Sequence, residues 1–562
     1  MIEVPKEKGS AFKTRKRIQG KSISPGLAEG TTFIHYDLIR SLDTKDAIHF
    51  EDIEEELGCL DDATSSISDD LIALATRVER QMDTRLGAVF EAHQLMLNDP
   101  TLREELRNEI IKNLTSASGA VKAVFLRWEK RFLRMESQIA RHKGDDMRDL
   151  SNRLSNALAG IKIHPLETFP ISSVIVARRL LPSDTIFLSQ NSASAVLLEY
   201  GGAGSHAALF AREMGLPCIA DISDILKCIP AGAPVLVDAN VAEAILCPIP
   251  KEKLEHHRKV EASRKTQFIA WEKAQEPTET LDGTTILVCA NVGCPIDTQR
   301  AIANGADGIG LYRTEQAYLG RATPPKEDEL LDEMRRTLKL SDPKTACIRL
   351  LDTGSDKQLP FVGFLAESNP ALGLRGIRLL KEYPKLLETQ LRAILTLSLE
   401  FNISVLIPMI STPHDVAFVK NALNRIGAGM GITKLPPLGA MIETPGAALN
   451  ARQFSEHIDF ISFGTNDLTQ YAFAADRENA AVETYFDDSS DAIFRLLRIV
   501  HDDVPHLPLS ICGELAGNTA SIQRLLDCGI RTLSVAPPLI PIIKETVRST
   551  RIQSIIKPYL AD

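Results

Sequence analysis

A chain of 562 residues is too long for a single core, and ordinary domain sizes put roughly three or four domains in it. Its composition, 25% charged and 44% hydrophobic, is that of a globular protein in water, and a net charge of −10 at pH 7 argues against a general nucleic-acid binder. No stretch approaches the roughly 18 to 20 continuous apolar residues that span a bilayer, so no membrane insertion is expected. The nine cysteines lack paired or metal-finger spacing. They predict reduced thiols, most of them buried, in a cytoplasmic protein.

The first residues are locally basic, with "KTRKR" at Lys13 to Arg17. No apolar stretch follows to make a signal peptide, and residues 1–22 are expected to form a solvated, disordered tail. From Phe50 the apolar residues Ile53, Leu57, Leu60 and Ile67 fall near helical spacing, and the pattern continues to about Ala159 with breaks near Asn98 to Pro100 and Ser116 to Gly119. This predicts a helical subdomain over 41–164. "SSVIVARRLLPSDTIFL", "ASAVLLEYGGAGSHAALFAREMGLPCIAD" and "VLVDAN" alternate strand and helix, and "SISPGLAEGTTFIHY" adds strands from the N-terminal side. Segments 23–40 and 165–250 therefore read as one α/β domain interrupted by the helical subdomain. The charged run after Pro250 predicts a connecting helix over 251–277, a spacer that would let two domains swing. Beyond it, eight strand-like runs, beginning "TTILVCANVG" and ending "TLSVAP", alternate with helical segments over 278–562, as an eight-stranded (β/α)8 barrel requires.

Chemistry-bearing residues collect where those runs end. "LGAMIETPGAAL" delivers Glu443 at a strand exit, and "DFISFGTNDLTQYAFAADR" places Asn466, Asp467 and Arg477 after another. Carboxylates and an amide are the hard oxygen donors Mg²⁺ prefers. "GIGLYR" ends on Arg313 and "ACIRLLD" carries Arg349; guanidinium forks suit phosphate and carboxylate oxygens. In "GGAGSHAALFAREMGLP" the imidazole of His206 stands at a glycine-led helix start, where backbone amides stabilise an anion and a neutral imidazole is nucleophilic near pH 7. An isolated turn of this kind is more often a packing feature, and a single arginine is more often a structural ion pair.

Together these segments resemble the phosphoenolpyruvate-binding barrel and phosphohistidine loop of the enzyme I family of the bacterial sugar phosphotransferase system, shared with pyruvate phosphate dikinase and phosphoenolpyruvate synthase. The loop departs from the family pattern at Gly204 and Ala203, and Arg179 stands where the family often has aspartate. The resemblance implies a swivelling α/β phosphohistidine domain with an inserted helical subdomain, and a barrel in which Arg313 and Arg349 bind the phosphate. It assigns Arg375, in "NPALGLRGIR", to phosphate or carboxylate, Asn466 and Arg477 to phosphoenolpyruvate, and Glu443 and Asp467 to Mg²⁺, for which Mn²⁺ can substitute. In "SICGELAG", Cys512 becomes the acid that protonates enolpyruvate. His206 becomes the phosphoacceptor, passing its group to a histidine of the carrier HPr, which "FEAHQLMLNDPTLREEL" and "DDMRDLSNRL" would dock. A homodimer through the barrel is implied as well. The dikinase and synthase carry an ATP-binding domain before the histidine domain, for which this chain is expected to have no room. The competing expectation is a non-catalytic regulatory paralogue that docks HPr or senses the ratio of phosphoenolpyruvate to pyruvate.

Overall fold

The structure is a computed structural model. It describes residues 15–35, 47–81, 84–133, 138–161, 166–181, 184–185, 187–188, 193–201, 208, 210–211, 214–318, 321–354, 359–363, 367, 369–477, 479 and 482–552. His206 lies outside the described residues, as do Ala203 and Gly204 beside it. The chain separates into two units, Met1–Ala262 and Ser263–Asp562.

The first unit is built on an eight-stranded sheet. Its strands are β1 (Lys16–Gln19), β2 (Lys21–Ser24), β3 (Leu27–His35), β4 (Ser173–Ala177), β5 (Ala195–Leu198), β6 (Cys218–Ala220), β7 (Pro234–Asp238) and β8 (Glu243–Leu246), in the order β1-β8-β7-β3-β4-β5-β6-β2. β3 to β6 run parallel and are flanked by antiparallel strands. β4 and β5 are buried throughout, because both faces of a central parallel strand are covered. Successive residues of β4 feed opposite cores: Val174 and Val176 pack with Leu197 and Val235, while Ile175 and Ala177 pack with Phe210 and Leu166.

Between β3 and β4 run the helices Ile53–Gln81, Thr84–Leu97, Pro100–Asn113, Ala117–Leu133 and Gln138–Leu158, around a core of their own that includes Leu71, Ile110, Val121 and Leu154. The break expected near Asn98 is a helix start: Asp99 Oδ1 accepts from the amides of Thr101 and Leu102 at 2.8 and 3.1 Å, ahead of Pro100 at the first helical position. The second break falls slightly earlier than expected, at Leu114, whose left-handed φ of 49° ends the helix.

The expected basic tail of residues 1–22 needs correction for residues 16–22, which form β1 and the start of β2. Ile18 is buried, and two of the basic residues that suggested solvation, Arg15 and Arg17, pair with acids far along the chain. Arg17 lies 2.8 Å from Glu243 and 3.2 Å from Glu252, and Arg15 Nε donates to Glu252 at 3.0 Å. Led by the Arg15 hydrogen bond, these contacts hold the Glu252 carboxyl down at about 2. Residues 1–14 lie outside the described residues. Glu252 opens the helix Pro250–Glu272, the expected connecting element.

The second unit contains the barrel. Its eight strands, β9 (Leu287–Val292), β10 (Ile309–Arg313), β11 (Ala346–Arg349), β12 (Ile403–Ile407), β13 (Leu438–Ile442), β14 (Phe460–Phe463), β15 (Leu509–Ile511) and β16 (Thr532–Val535), are all parallel and close by pairing β16 with β9. Each falls on one of the expected runs. The interior is packed: a Cβ on Gly310 would stand 2.4 Å from Ser534 Oγ and 2.9 Å from the Cβ of Cys289, so only glycine fits at that point of β10. All nine cysteines are free, but four are buried, four are intermediate and Cys59 is exposed, so fewer are core residues than the sequence suggests. Among the described residues no helix is long and apolar enough to cross a membrane.

Candidate active site

The exits of β10, β11, β13, β14 and β15 each place a functional side chain at the same end of the barrel, the end where (β/α)8 enzymes carry their chemistry. Glu443 directly follows β13 and is fully buried. Its Oε1 accepts from the Met409 amide, while Oε2 is buried without a partner. Met409 adopts a φ of 53°, a left-handed conformation unfavourable for its side chain, and thereby turns its N–H toward the carboxylate. Gly464 leaves the room beside Oε2, since a Cβ there would approach it to 2.7 Å.

Asp467 sits in the first turn of the helix Thr465–Phe473 that follows β14. A third carboxylate, Asp352, lies just past β11; it was not among the residues picked from the sequence. Ligand oxygens of Asp352, Glu443 and Asp467 lie within 4.8 Å of one another. Three buried carboxylates with one oxygen unused fit a hard divalent cation such as Mg²⁺ and offer nothing to softer metals.

The arginines are interleaved with these acids. Arg375 Nη1 lies 3.1 Å from Asp467 and its Nη2 3.2 Å from Asp352 Oδ2, and Arg349 bridges Asp352 at 3.1 Å and Glu315 at 2.8 Å. Glu315 Oε1 also accepts from the Asp352 amide at 3.0 Å, so one acid fixes both the guanidinium and the loop beyond β11. Burial pushes both guanidiniums down, but the surrounding carboxylates more than reverse it and raise both above the ordinary arginine value. For Glu443, burial first and then the charges of Asp352 and Asp467 push the carboxyl up to about 8, against the pull of Arg349 and Arg375. Tyr471 completes the setting: its hydroxyl accepts from Arg375 at 3.3 Å and donates to the Ala371 carbonyl.

Arg313 is exposed at the end of β10. Asn466 is half-buried, and its Oδ1 accepts from the Glu514 amide at 2.8 Å, which assigns the NH₂ to donating. Arg477 is half-buried, and its main-chain N donates to Gln470 at 3.2 Å. Cys512 stands directly after β15 and is buried; burial above all keeps its thiol protonated, pushing it up to about 11, with Arg349 and Arg313 pulling the other way. The structure thus draws together Arg349, Arg375, Glu443 and Asp467 by direct or shared contacts, with Arg313 and Cys512 within electrostatic reach. Glu315, Asp352 and Tyr471 escaped the sequence reading, although an acid three residues after Arg349 at a strand exit was a signal for Asp352.

Three family models match in order along the chain: "PEP-utilising enzyme, N-terminal" over residues 19–143, "mobile domain" over 169–241, which spans the position of His206, and "PEP-binding domain" over 270–552. A closed parallel barrel with this site, matched over half the chain, makes the protein a PEP-utilising enzyme. Among curated relatives, a phosphoenolpyruvate-protein phosphotransferase of Geobacillus stearothermophilus is 34% identical over 493 residues, 86% of this chain and 85% of the relative. Its namesakes in Haloferax volcanii and Bacillus subtilis are 34% and 32% identical, the alignments covering 87% of this chain in each case and 86% and 87% of the relatives. The chain belongs to the phosphoenolpyruvate-protein phosphotransferase family.

Proposed function

We propose that this enzyme transfers the phosphoryl group of phosphoenolpyruvate to His206, releases pyruvate, and passes the group on to a histidine of HPr, the first step of a sugar phosphotransferase system. The observation that carries the reading is the buried alternation of arginines and carboxylates at the barrel exits, with the buried thiol of Cys512 at the exit of β15. In-line phosphoryl transfer needs charge neutralisation and little covalent help. Arg313, Arg349 and Arg375 receive the phosphate oxygens; Asn466, through its NH₂, and Arg477 orient the rest of the substrate. Glu443 and Asp467, with Asp352 beside them, would hold Mg²⁺ or Mn²⁺, which supplies positive charge to the transferring group when bound. His206 forms the N–P bond as the bridging P–O bond breaks, and Cys512 gives its proton to the methylene carbon of the enolpyruvate left behind.

In this reading 16–40 and 165–250 form the phosphohistidine domain, which includes β1 and all of β2, 41–164 the HPr-docking subdomain, 251–277 the connector and 278–562 the barrel, acting as a cytoplasmic homodimer. Support for docking comes from the helix Thr84–Leu97: His93 is fully buried, 3.0 Å from Asp146 of the second docking segment, while Leu95 is 70% exposed.

Phosphoenolpyruvate labelled on phosphorus tests the reading. With Mg²⁺ the chain should acquire acid-labile, base-stable label and transfer it to HPr, and His206→Ala should acquire none. An unlabelled wild-type chain would favour the regulatory paralogue, and label persisting in His206→Ala would identify another acceptor.

A further inference from the structure

The Cys512 sulfur lies inside the barrel against Leu311, Leu406 and Met441. Two hydrogen bonds define its position. The thiol donates to the Phe463 carbonyl oxygen at 3.4 Å, and the Ser462 hydroxyl donates to the sulfur at 3.6 Å. Ser462 is 1% exposed, and its main chain is locked in register between Met441 of β13 and Ser510 of β15. The Cys512 main chain is fixed as well: Asn291 Nδ2 donates to its carbonyl at 3.2 Å, and Asn291 is itself held by Ser534 Oγ at 2.8 Å.

We infer that Ser462 is a positioning residue for the protonation step: its hydroxyl holds the Cys512 sulfur and stabilises the thiolate left when the proton departs. The inference rests on Cys512 being the acid of the proposed reaction. In that step the S–H bond breaks and a C–H bond forms at the enolpyruvate methylene, using the π electrons of its double bond as the carbonyl of pyruvate forms. The electron pair of the S–H bond stays on sulfur, and the thiolate regains a proton from water after pyruvate leaves.

A buried thiolate is costly without a donor, and a hydrogen bond to an ionised acceptor is roughly twice as strong as one between neutral groups. Ser462 therefore contributes little to the resting thiol and much to the state that follows transfer, as a group acting on the reaction path must. The other groups bearing on the sulfur are Arg313 after β10 and Arg349 on β11, which favour the thiolate, and Glu443 after β13, which opposes it. Cys347 of β11 packs alongside. The arginines also serve the phosphate; Ser462 acts on the thiol alone.

The test uses the full chain with phosphoenolpyruvate, Mg²⁺ and HPr. Ser462→Ala should lower kcat for pyruvate formation about tenfold, the scale of one hydrogen bond to a charged group, with KM for phosphoenolpyruvate unchanged and a larger solvent deuterium isotope effect. Ser462→Thr should restore the rate. In a Cys512→Ala background, Ser462→Ala should cost nothing more. The same loss in both backgrounds, or a change confined to KM, would overturn the inference. Wild-type turnover by Cys512→Ala would remove the acid assignment and this inference with it, whereas a slow Cys512→Ala beside a Ser462→Ala of wild-type rate would overturn this inference alone.

Discussion

At Glu443, Oε1 is committed to the Met409 amide and Oε2 has no partner, in a setting that raises the carboxyl to about 8. In protein stripped of divalent ions this group keeps its proton at pH 7, so Mg²⁺ must displace it. Calorimetry in buffers of different ionisation enthalpy should show proton release on binding, with affinity rising as pH rises toward 8; binding without proton release would defeat the assignment. The sign for stability is opposite. Unfolded, the carboxyl titrates near 4.3, so between about 4.5 and 8 the folded state holds a proton that the unfolded state has lost. This group's contribution to the stability of the stripped protein therefore falls as pH rises across that window. Asp352 makes a second test possible because it pairs with two buried guanidiniums. Asp352→Asn leaves them short of counter-charge and should cost about 3 kcal/mol, the scale of breaking a buried pair, in urea unfolding, and raise KM for phosphoenolpyruvate. Unchanged stability would mean that Glu315 and Asp467, already paired with Arg349 and Arg375, supply enough counter-charge without Asp352.

Among the elements, the helix Thr465–Phe473 bears most directly on the site, since its first turn carries Asn466 and Asp467. It ends on Ala474, exposed and left-handed at φ 49°, the conformation glycine adopts freely. The strain on alanine there is roughly 1 kcal/mol. Glycine removes it but makes the unfolded chain more flexible, leaving a net gain of about 0.5 kcal/mol. Ala474→Gly should therefore raise the urea midpoint slightly without changing KM, because the cap lies at the far end of the helix from Asp467. A loss of stability would show that the cap is held by contacts of the alanine methyl. In β1, a four-residue strand with two basic side chains, Arg17 alone pairs with both Glu243 and Glu252.

For the whole molecule, the division at Ala262 lies inside the helix Pro250–Glu272, and the first turns of that helix belong to the first unit. Glu252 binds Arg15 and Arg17, His257 lies 2.6 Å from Glu29, and Lys259 lies 2.7 Å from Asp238. A fragment of residues 1–250 lacks all four contacts, and a fragment of 1–262 keeps them. The longer one should unfold at a higher urea concentration, and both should exchange phosphoryl groups with phosphorylated HPr. Neither should accept them from phosphoenolpyruvate, because the barrel arginines, Glu443, Asp467 and Cys512 are absent. Equal midpoints would mean that the helix start adds nothing to the first unit, and labelling of either fragment by phosphoenolpyruvate would contradict the assignment of substrate to the barrel.

The eight barrel strands, the helices interrupting the sheet and the positions of the strand exits could be read from the chain alone, because each depends on periodicity and punctuation within a few neighbours. Glu443 and Asp467 were placed at strand exits in this way, since an apolar run that ends on a carboxylate is a local signal, whereas Cys512 stood out only through the resemblance of its motif. The pairings emerge only once the chain is folded. Arg375 and Asp467 are 92 residues apart, Asn291 and Cys512 221, and Arg15 and Glu252 237, and no local pattern specifies which charge meets which across such distances. The same holds for the part of Asp352 between two guanidiniums, the one unused oxygen of Glu443 and the left-handed turn at Met409. Each arises from closing the barrel, which forces side chains from separate strand exits into one low-dielectric space where they must satisfy one another.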